Sequence, residues 1–283
     1  MQRARVAFRI GSSLILAAFG ALAQDQPPVS TPPAQQQAAT VTESAPVTIE
    51  NRGKPMEVPF ACSADDVQWG GLSCSDDQPC PVFLELAGAD AAGSRVVVSG
   101  NFHTEAVTLY SVVLASDDGG HTWTEPQQRI RGAALDRILF LDDKLGWISG
   151  EELFPIPQNP FLLVTEDGGK TWSRRPVIND AAEDRFGIVQ QFSFADKDTG
   201  SLILDRGEAA VTDRYALYES LTGGQSWNFV QESDKPPKLK QAPPPSQWRV
   251  RVDAPTHSYH VEHRVGERWT GVGAFAVKVD PCK

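Results

Sequence analysis

The chain has 283 residues, 22% of them charged, with a net charge of −10 and a pI near 5.0. An acidic chain of this kind lacks the basic patch that nucleic acid or an anionic lipid surface requires. Its one cluster of lysines, "KPPKLKQ" (235–241), is set among prolines and reads as a solvated loop.

Residues 1–23 have the form of an export signal. Arg3, Arg5 and Arg9 precede an apolar run that ends in "ALA" ahead of Gln24, the small-x-small pattern of a cleavage site. The run is too short to span a bilayer, and no later segment approaches that length. No twin arginine occurs, and no cysteine follows the cleavage site to carry a lipid. Removing the signal takes away three arginines and leaves a net charge of −13. The expected location is the periplasm or the cell exterior, with no membrane span after cleavage. Residues 24–46 contain no aromatic side chain and are rich in Pro, Gln, Ala and Thr, so they read as a disordered linker. Residues 47–283 are then one domain, long enough for a sizeable core.

Four cysteines, Cys62, Cys74, Cys80 and Cys282, allow three pairings into two disulfides. The favoured pairing is Cys74 with Cys80, a short local loop, and Cys62 with Cys282, tying the start of the domain to its end. A zinc site would need a paired C-x-x-C or a nearby histidine, and neither is present. No metal and no cofactor is expected.

From "PVFLELA" onward the domain is a succession of short apolar or alternating runs broken by Gly, Asp and Asn, without a long helical period. About four such runs make one unit. A signature follows the third run of each unit, as "ASDDGGHTW" in the first, "VTEDGGKTW" in the second and "ESLTGGQSW" in the third, with another short strand after its tryptophan. In register, these give a hydroxyl residue (Ser116, Thr165, Ser220), then Asp118, Asp167 and Thr222, then Gly120, Gly169 and Gly224. A second hydroxyl (Thr122, Thr171, Ser226) and a tryptophan (Trp123, Trp172, Trp227) follow. The tryptophans are about 50 residues apart, the period of a propeller blade. A fading fourth copy, "VGERW", keeps only Gly266 and Trp269. The last unit offers three strands, so a segment near the N-terminus, "PVTIENR" or "MEVPFACS", is expected to complete it. The fold class is therefore all-β and β-propeller-like, with four or five antiparallel blades.

The signature has a physical reading. Glycine supplies positive φ in a tight hairpin, and the carboxylate folds back onto turn N–H groups. The indole wedges apolar surface between units. Asp118 and Asp167 are thus read as turn staples rather than as catalytic acids or metal ligands, since Thr222 stands in the same place without a carboxylate. The pattern resembles the Asp box, or bacterial-neuraminidase repeat. Together with "LFLDDKLGWISG" it looks most like the repeats of photosystem II stability/assembly-factor-type propellers. That resemblance implies a noncatalytic binding scaffold. A sialidase would imply an arginine triad, a tyrosine nucleophile with a glutamate partner, an aspartate acid/base and an F/Y-R-I-P signature. The only similar string, "FRIG" (8–11), lies in the signal. Tyr215 and Tyr218, beside Glu219, read as strand packing.

His257, His260 and His263 recur every third residue, but on an alternating strand His260 and His263 face opposite sides. The pairs Asp65–Asp66, Asp76–Asp77 and Asp142–Asp143 read as solvated turns or strand ends rather than calcium sites. "EELFPIPQNPF" interrupts the second unit, and Phe154, Ile156 and Phe161 make it a candidate interaction loop. The expected function is noncatalytic binding of a protein or glycan partner. A glycoside hydrolase with an unrecognised site is the alternative.

Overall fold

A computed structural model describes residues 47–153, 156–178, 185–208, 210 and 213–283. The signal and linker expected over 1–46 lie outside the described residues. The described part opens with β1 (Ile49–Glu50) and a short helix, α1 (Ala64–Trp69). Next come β2 (Cys80–Ala92), β3 (Arg95–His103), β4 (Thr108–Ser116) and the two-residue β5 (Thr122–Trp123). A second group holds β6 (Ala133–Phe140), β7 (Gly146–Glu152), β8 (Gln158–Thr165) and β9 (Ser173–Pro176). The third holds β10 (Ile188–Phe194), β11 (Gly200–Asp205), β12 (Tyr215–Ser220) and β13 (Asn228–Ser233). The last holds β14 (Trp248–Asp253), β15 (Ser258–Val265) and β16 (Arg268–Ala276), and β17 (Lys278–Cys282) ends the chain.

These strands make four antiparallel sheets of three or four strands and a two-stranded β1-β5 ribbon, so the fold is all-β and propeller-like. Sheet I has the order β17-β2-β3-β4, sheet II β6-β7-β8-β9, sheet III β10-β11-β12-β13, and sheet IV β14-β15-β16. The sheets stack in the sequence IV, I, II, III through three apolar clusters. Trp123, Val98 and Phe275 belong to the cluster between IV and I, and Val97, Leu135 and Phe161 to that between I and II. Trp147, Leu162 and Phe194 belong to the cluster between II and III. This sandwiching explains why β3 reads "VVV" and β8 "FLLV": alternate side chains serve opposite neighbours, so both faces must be apolar.

The far face of sheet III carries Ile203, Tyr215 and Leu217, against which Leu239 packs. Lys240 Nζ pairs with Glu219 Oε1 at 2.7 Å. The stretch "KPPKLKQ" is therefore not wholly solvated. It lays one leucine over an apolar sheet face and keeps its lysines toward water.

The two ends of the domain meet, though not in the expected arrangement. β17 runs on from β16 and joins the edge of β2, with Val279 opposite Val82 and Cys282 opposite Cys80. The first sheet, not the last, is thus completed by a strand from the far end. Sheet IV keeps three strands and gains one parallel bridge at Met56, whose N–H donates to Ala274 O at 2.7 Å. "PVTIENR" instead forms β1 and pairs with β5, Ile49 opposite Trp123. The physical reason is direct continuity: β16 and β17 are one residue apart, and Leu84 N–H would be unpaired without Val277 O, which accepts from it at 2.6 Å.

Both favoured disulfides form, Cys62–Cys282 and Cys74–Cys80. Two disulfides are compatible with an oxidising compartment, and no helix among the described residues is long and apolar enough to cross a membrane. The first bond closes a loop 220 residues apart in sequence and the second a loop of 6. Loop-closure entropy then makes the long bond worth about 5 kcal/mol and the short one about 2 kcal/mol. Replacing Cys62 and Cys282 by alanine should lower the denaturant midpoint clearly more than replacing Cys74 and Cys80. Equal losses in urea titrations would show that closure of the ends is not what the long bond stabilises.

Candidate functional site

The three signature turns are built alike. Both glycines of each turn have positive φ, 71° and 92° at Gly119 and Gly120, so side chains there would be strained. The leading hydroxyl accepts from the second glycine's N–H in all three: Ser116 from Gly120 at 2.9 Å, Thr165 from Gly169 at 2.8 Å, Ser220 from Gly224 at 2.9 Å. Asp167 Oδ1 accepts from the N–H groups of Lys170 and Thr171, and its Oδ2 from the Thr171 hydroxyl at 2.6 Å. Burial alone would raise the Asp167 carboxyl, but these donors outweigh it and hold the group at about 2. Asp118 makes the same set with His121 and Thr122, and the Thr122 hydroxyl and N–H hold it far below the usual carboxylate range. Thr222 does part of the work, accepting from Ser226 N–H at 2.9 Å. Trp123 lies edge-on to Phe275 at 5.1 Å, which wedges sheet I against sheet IV. Trp172 and Trp227 lie edge-on to Phe140 and Phe194 of their own sheets, within the clusters that join II to I and III to II. The carboxylates of Asp118 and Asp167 are committed to turn donors.

The site able to receive a ligand lies elsewhere. A cleft of about 780 Å³ is lined by the first strand of each stacking unit: Asp90 on β2, Arg137 and Phe140 on β6, Gln191 and Phe192 on β10, and Trp248 and Arg249 on β14. His263 and Pro243–Pro245 complete its wall. Trp248 stacks on His263 at 4.4 Å between ring centroids. Burial raises the Asp90 carboxyl, and the N–H groups of Phe140 and Ala91 oppose that rise; Phe140 N–H donates to it at 2.8 Å. Arg137 Nε donates to Gln190 O at 3.0 Å, and Arg249 Nε to Glu262 Oε2 at 2.6 Å.

Other singled-out residues are dispersed. Phe154 lies outside the described residues. Ile156 is exposed, whereas Phe161 is fully buried in β8 and faces sheet I. His260 lies 3.7 Å from Asp253, while His263 stacks on Trp248, so they serve separate contacts. Trp269 stands in β16 after a β15–β16 hairpin, beneath the Arg249 guanidinium at 4.1 Å. It therefore does not repeat the signature turn, which joins the third strand of a unit to the fourth. Tyr215 and Tyr218 are buried in β12. Asp76 and Asp77 are exposed, and Asp142 caps Lys144 and Leu145 N–H at 2.8 Å each.

Asp65 and Asp66 do not sit in a turn or at a strand end; they open helix α1. Ser63 and Asp66 form a reciprocal capping box, readable in the sequence from the spacing Ser-x-x-Asp. Asp66 also accepts from Arg131 Nη2 at 2.9 Å and pairs with Tyr110. Burial would raise its carboxyl, but Tyr110, Ser63 and Arg131 together lower it.

Sequence reasoning missed a buried acid. Glu151 on β7 is pushed up to about 7, first by burial and then by the nearby charge of Asp136. Burial also raises Asp136, against the opposing charge of Arg137. Neither carboxylate lines the cleft. No sequence signal marked Glu151, because "GEE" has the look of a solvated strand end.

No family model matches the chain, and no curated protein matches it. Among solved structures it is similar to YCF48 from Cyanidioschyzon merolae at 17% identity, covering 68% of this chain and 56% of that one with a TM-score of 0.34. It is similar to an α-L-arabinofuranosidase from Fusarium graminearum at 16% identity, covering 68% and 57%, with a TM-score of 0.34. An α-L-arabinanase of Penicillium chrysogenum is 14% identical, with 81% and 66% covered and a TM-score of 0.35. The chain thus spans just over half to two thirds of their lengths, and the likeness concerns fold and no more.

Glu151 makes stability depend on pH. Its folded value of about 7 lies above the ordinary 4.5, so the unfolded chain releases this proton first as pH rises. Stability should therefore fall across roughly pH 4.5 to 7, by on the order of 3 kcal/mol, and level off above. Glu151→Gln should flatten that part of the profile and unfold later than wild type at pH 8. Superimposable profiles would show that Glu151 carries no such proton.

Proposed function

We propose that the chain is exported by its N-terminal signal to the periplasm or beyond, and that its three signature turns are Asp boxes. Its role is noncatalytic: it is a scaffold that binds a protein or glycan partner at the central cleft. The observation that carries this reading is the state of the cleft's acid. Among the described residues lining it, Asp90 is the one carboxylate, and backbone N–H groups already occupy it. Hydrolysis of a glycosidic bond ordinarily needs two carboxylates flanking the bond. What the wall does offer is recognition chemistry: the stacked Trp248–His263 pair, proline rings and two guanidiniums. The export reading is supported by the two disulfides.

A glycoside hydrolase is the second reading, and Glu151 favours it, since a carboxyl raised to about 7 beside a second acid suits a general acid. One experiment separates the two. The protein is incubated with 4-nitrophenyl glycosides, including the arabinofuranoside and the sialoside, and released nitrophenol is followed over days. The scaffold reading predicts no release above buffer. Turnover that disappears in Glu151→Gln would overturn it in favour of the hydrolase.

A further inference from the structure

Sheet IV ends the row, and its outer face is charged where that of sheet III is apolar. Trp248, Val250, Tyr259, Val261 and Phe275 point inward, into the cluster shared with sheet I. Strand alternation then sends Arg249 and Arg251 of β14, Glu262 and Arg264 of β15, and Trp269 and Gly271 of β16 to the other side. The contacts agree. Arg249 Nε donates to Glu262 Oε2 at 2.6 Å, and Arg251 Nε donates to Glu262 Oε1 at 3.0 Å. The Arg249 guanidinium lies over the Trp269 ring at 4.1 Å, and Arg264 stands directly opposite Trp269 in the ladder. Among the described residues, no apolar cluster covers this face.

The cations form the outer layer of this cluster. Glu262 is only 8% exposed, whereas the Arg249 and Arg251 side chains are each 42% exposed. Burial alone would raise the Glu262 carboxyl, but the two guanidiniums outweigh it and hold the group below its ordinary value. Each guanidinium gives its Nε to this one carboxylate. Among the described residues, Arg249 makes no other hydrogen bond, and Arg251 adds only a 3.4 Å contact from Nη1 to Asp253. Asp253 is itself engaged by Thr256 and lies 3.7 Å from His260. Arg264 is exposed, and its Nε donates to Gly266 O at 3.2 Å. Three guanidiniums less two carboxylates give this face a net charge of +1, on a chain whose total is −10. Glu262 thus acts as a brace, fixing two guanidiniums whose outer N–H groups suit the paired oxygens of a carboxylate. Gly271, opposite Glu262, leaves the strand bare beside Trp269, with no atom within 4 Å of where a side chain would begin.

We propose that the outer face of sheet IV binds a uronate-rich polysaccharide. Arg249, Arg251 and Arg264 receive its carboxylates, and a sugar ring lies beside Trp269 over the bare strand. Charge complementarity selects an anion. A sheet face presents side chains and no backbone donors, so it cannot take up a peptide by strand addition. With Trp269 as its one aromatic, it also lacks the apolar core on which a protein interface is built. Three arginines are too few for nucleic acid or an anionic membrane. A chain of acidic sugars needs neither an apolar core nor a wide basic field, because each unit brings a carboxylate together with its own ring and hydroxyls.

The test is calorimetric titration of the full chain with polygalacturonate in about 0.15 M salt, where distant charges are screened. Two control polymers accompany it. The methyl ester of polygalacturonate keeps the sugar chain and loses the charge, and poly-glutamate keeps the charge on a polypeptide. Wild type should bind polygalacturonate and neither control. Arg264→Gln and Arg251→Lys should each weaken binding by about tenfold, and Arg264→Gln should leave the unfolding midpoint unchanged. Neither residue lines the central cleft, so these losses place the site on the outer face. Glu262→Gln separates placement from charge. It makes the face more positive by one, yet loss of the brace should weaken binding. No binding of polygalacturonate would overturn the proposal, as would equal binding of its methyl ester or binding that Arg264→Gln and Arg251→Lys leave intact. Poly-glutamate bound as tightly would overturn the choice of a sugar, and tighter binding by Glu262→Gln would overturn the brace.

Discussion

The inner edge of sheet II sets the problem that the rest of the structure solves. β6 has a strand on one side only, so its other edge would leave backbone donors and acceptors unpaired inside the protein. Sheet I meets them with side chains. Asn101 donates to Leu135 O at 3.1 Å and accepts from Leu135 N–H at 2.7 Å, replacing a strand partner with one carboxamide. The Ser99 hydroxyl donates to Asp136 O at 2.7 Å, and Asp90 accepts from Phe140 N–H at 2.8 Å. Three polar side chains that look misplaced in apolar strands thus fasten one sheet to the next. They also fix where the first strands stand around the cleft.

Stacking then follows from two-faced burial. Sheets I and II each have neighbours on both sides, and their central strands bury apolar side chains on both faces. Sheets III and IV each end the row, and among the described residues no apolar cluster joins them. Each end is finished by a different means. Sheet III is covered by Leu239 from the proline-rich connection, whereas the outer face of sheet IV is polar: Arg249 and Arg251 share the buried Glu262. The cleft is what this arc leaves at its centre, and its acid is held by the same backbone contact that fastens the sheets.

Much of this was legible in the sequence because it is local. Turn chemistry and strand parity act over a few residues, so the signature turns, the strand runs and the short disulfide could be read directly. The long disulfide was legible from cysteine count and from the expectation that the ends meet. What resisted was non-local. Whether Asp66 is solvated or buried depends on Tyr110 and Arg131, which lie 44 and 65 residues away. Phe161 looked like part of an exposed loop because prolines precede it, yet it shares strand parity with Leu163 and faces the same cluster. The roles of Asp90, Asn101 and Glu151 depend on an unpaired edge and a burial depth that only packing creates.

The most direct measurement is equilibrium unfolding of Asn101→Ala, because that carboxamide carries the bond between the two central sheets. Truncation leaves Leu135 N–H and O buried without partners, which should cost at least about 2 kcal/mol while the transition stays single. An unfolding curve that overlays wild type would contradict the account, showing that the sheets are held by apolar stacking alone.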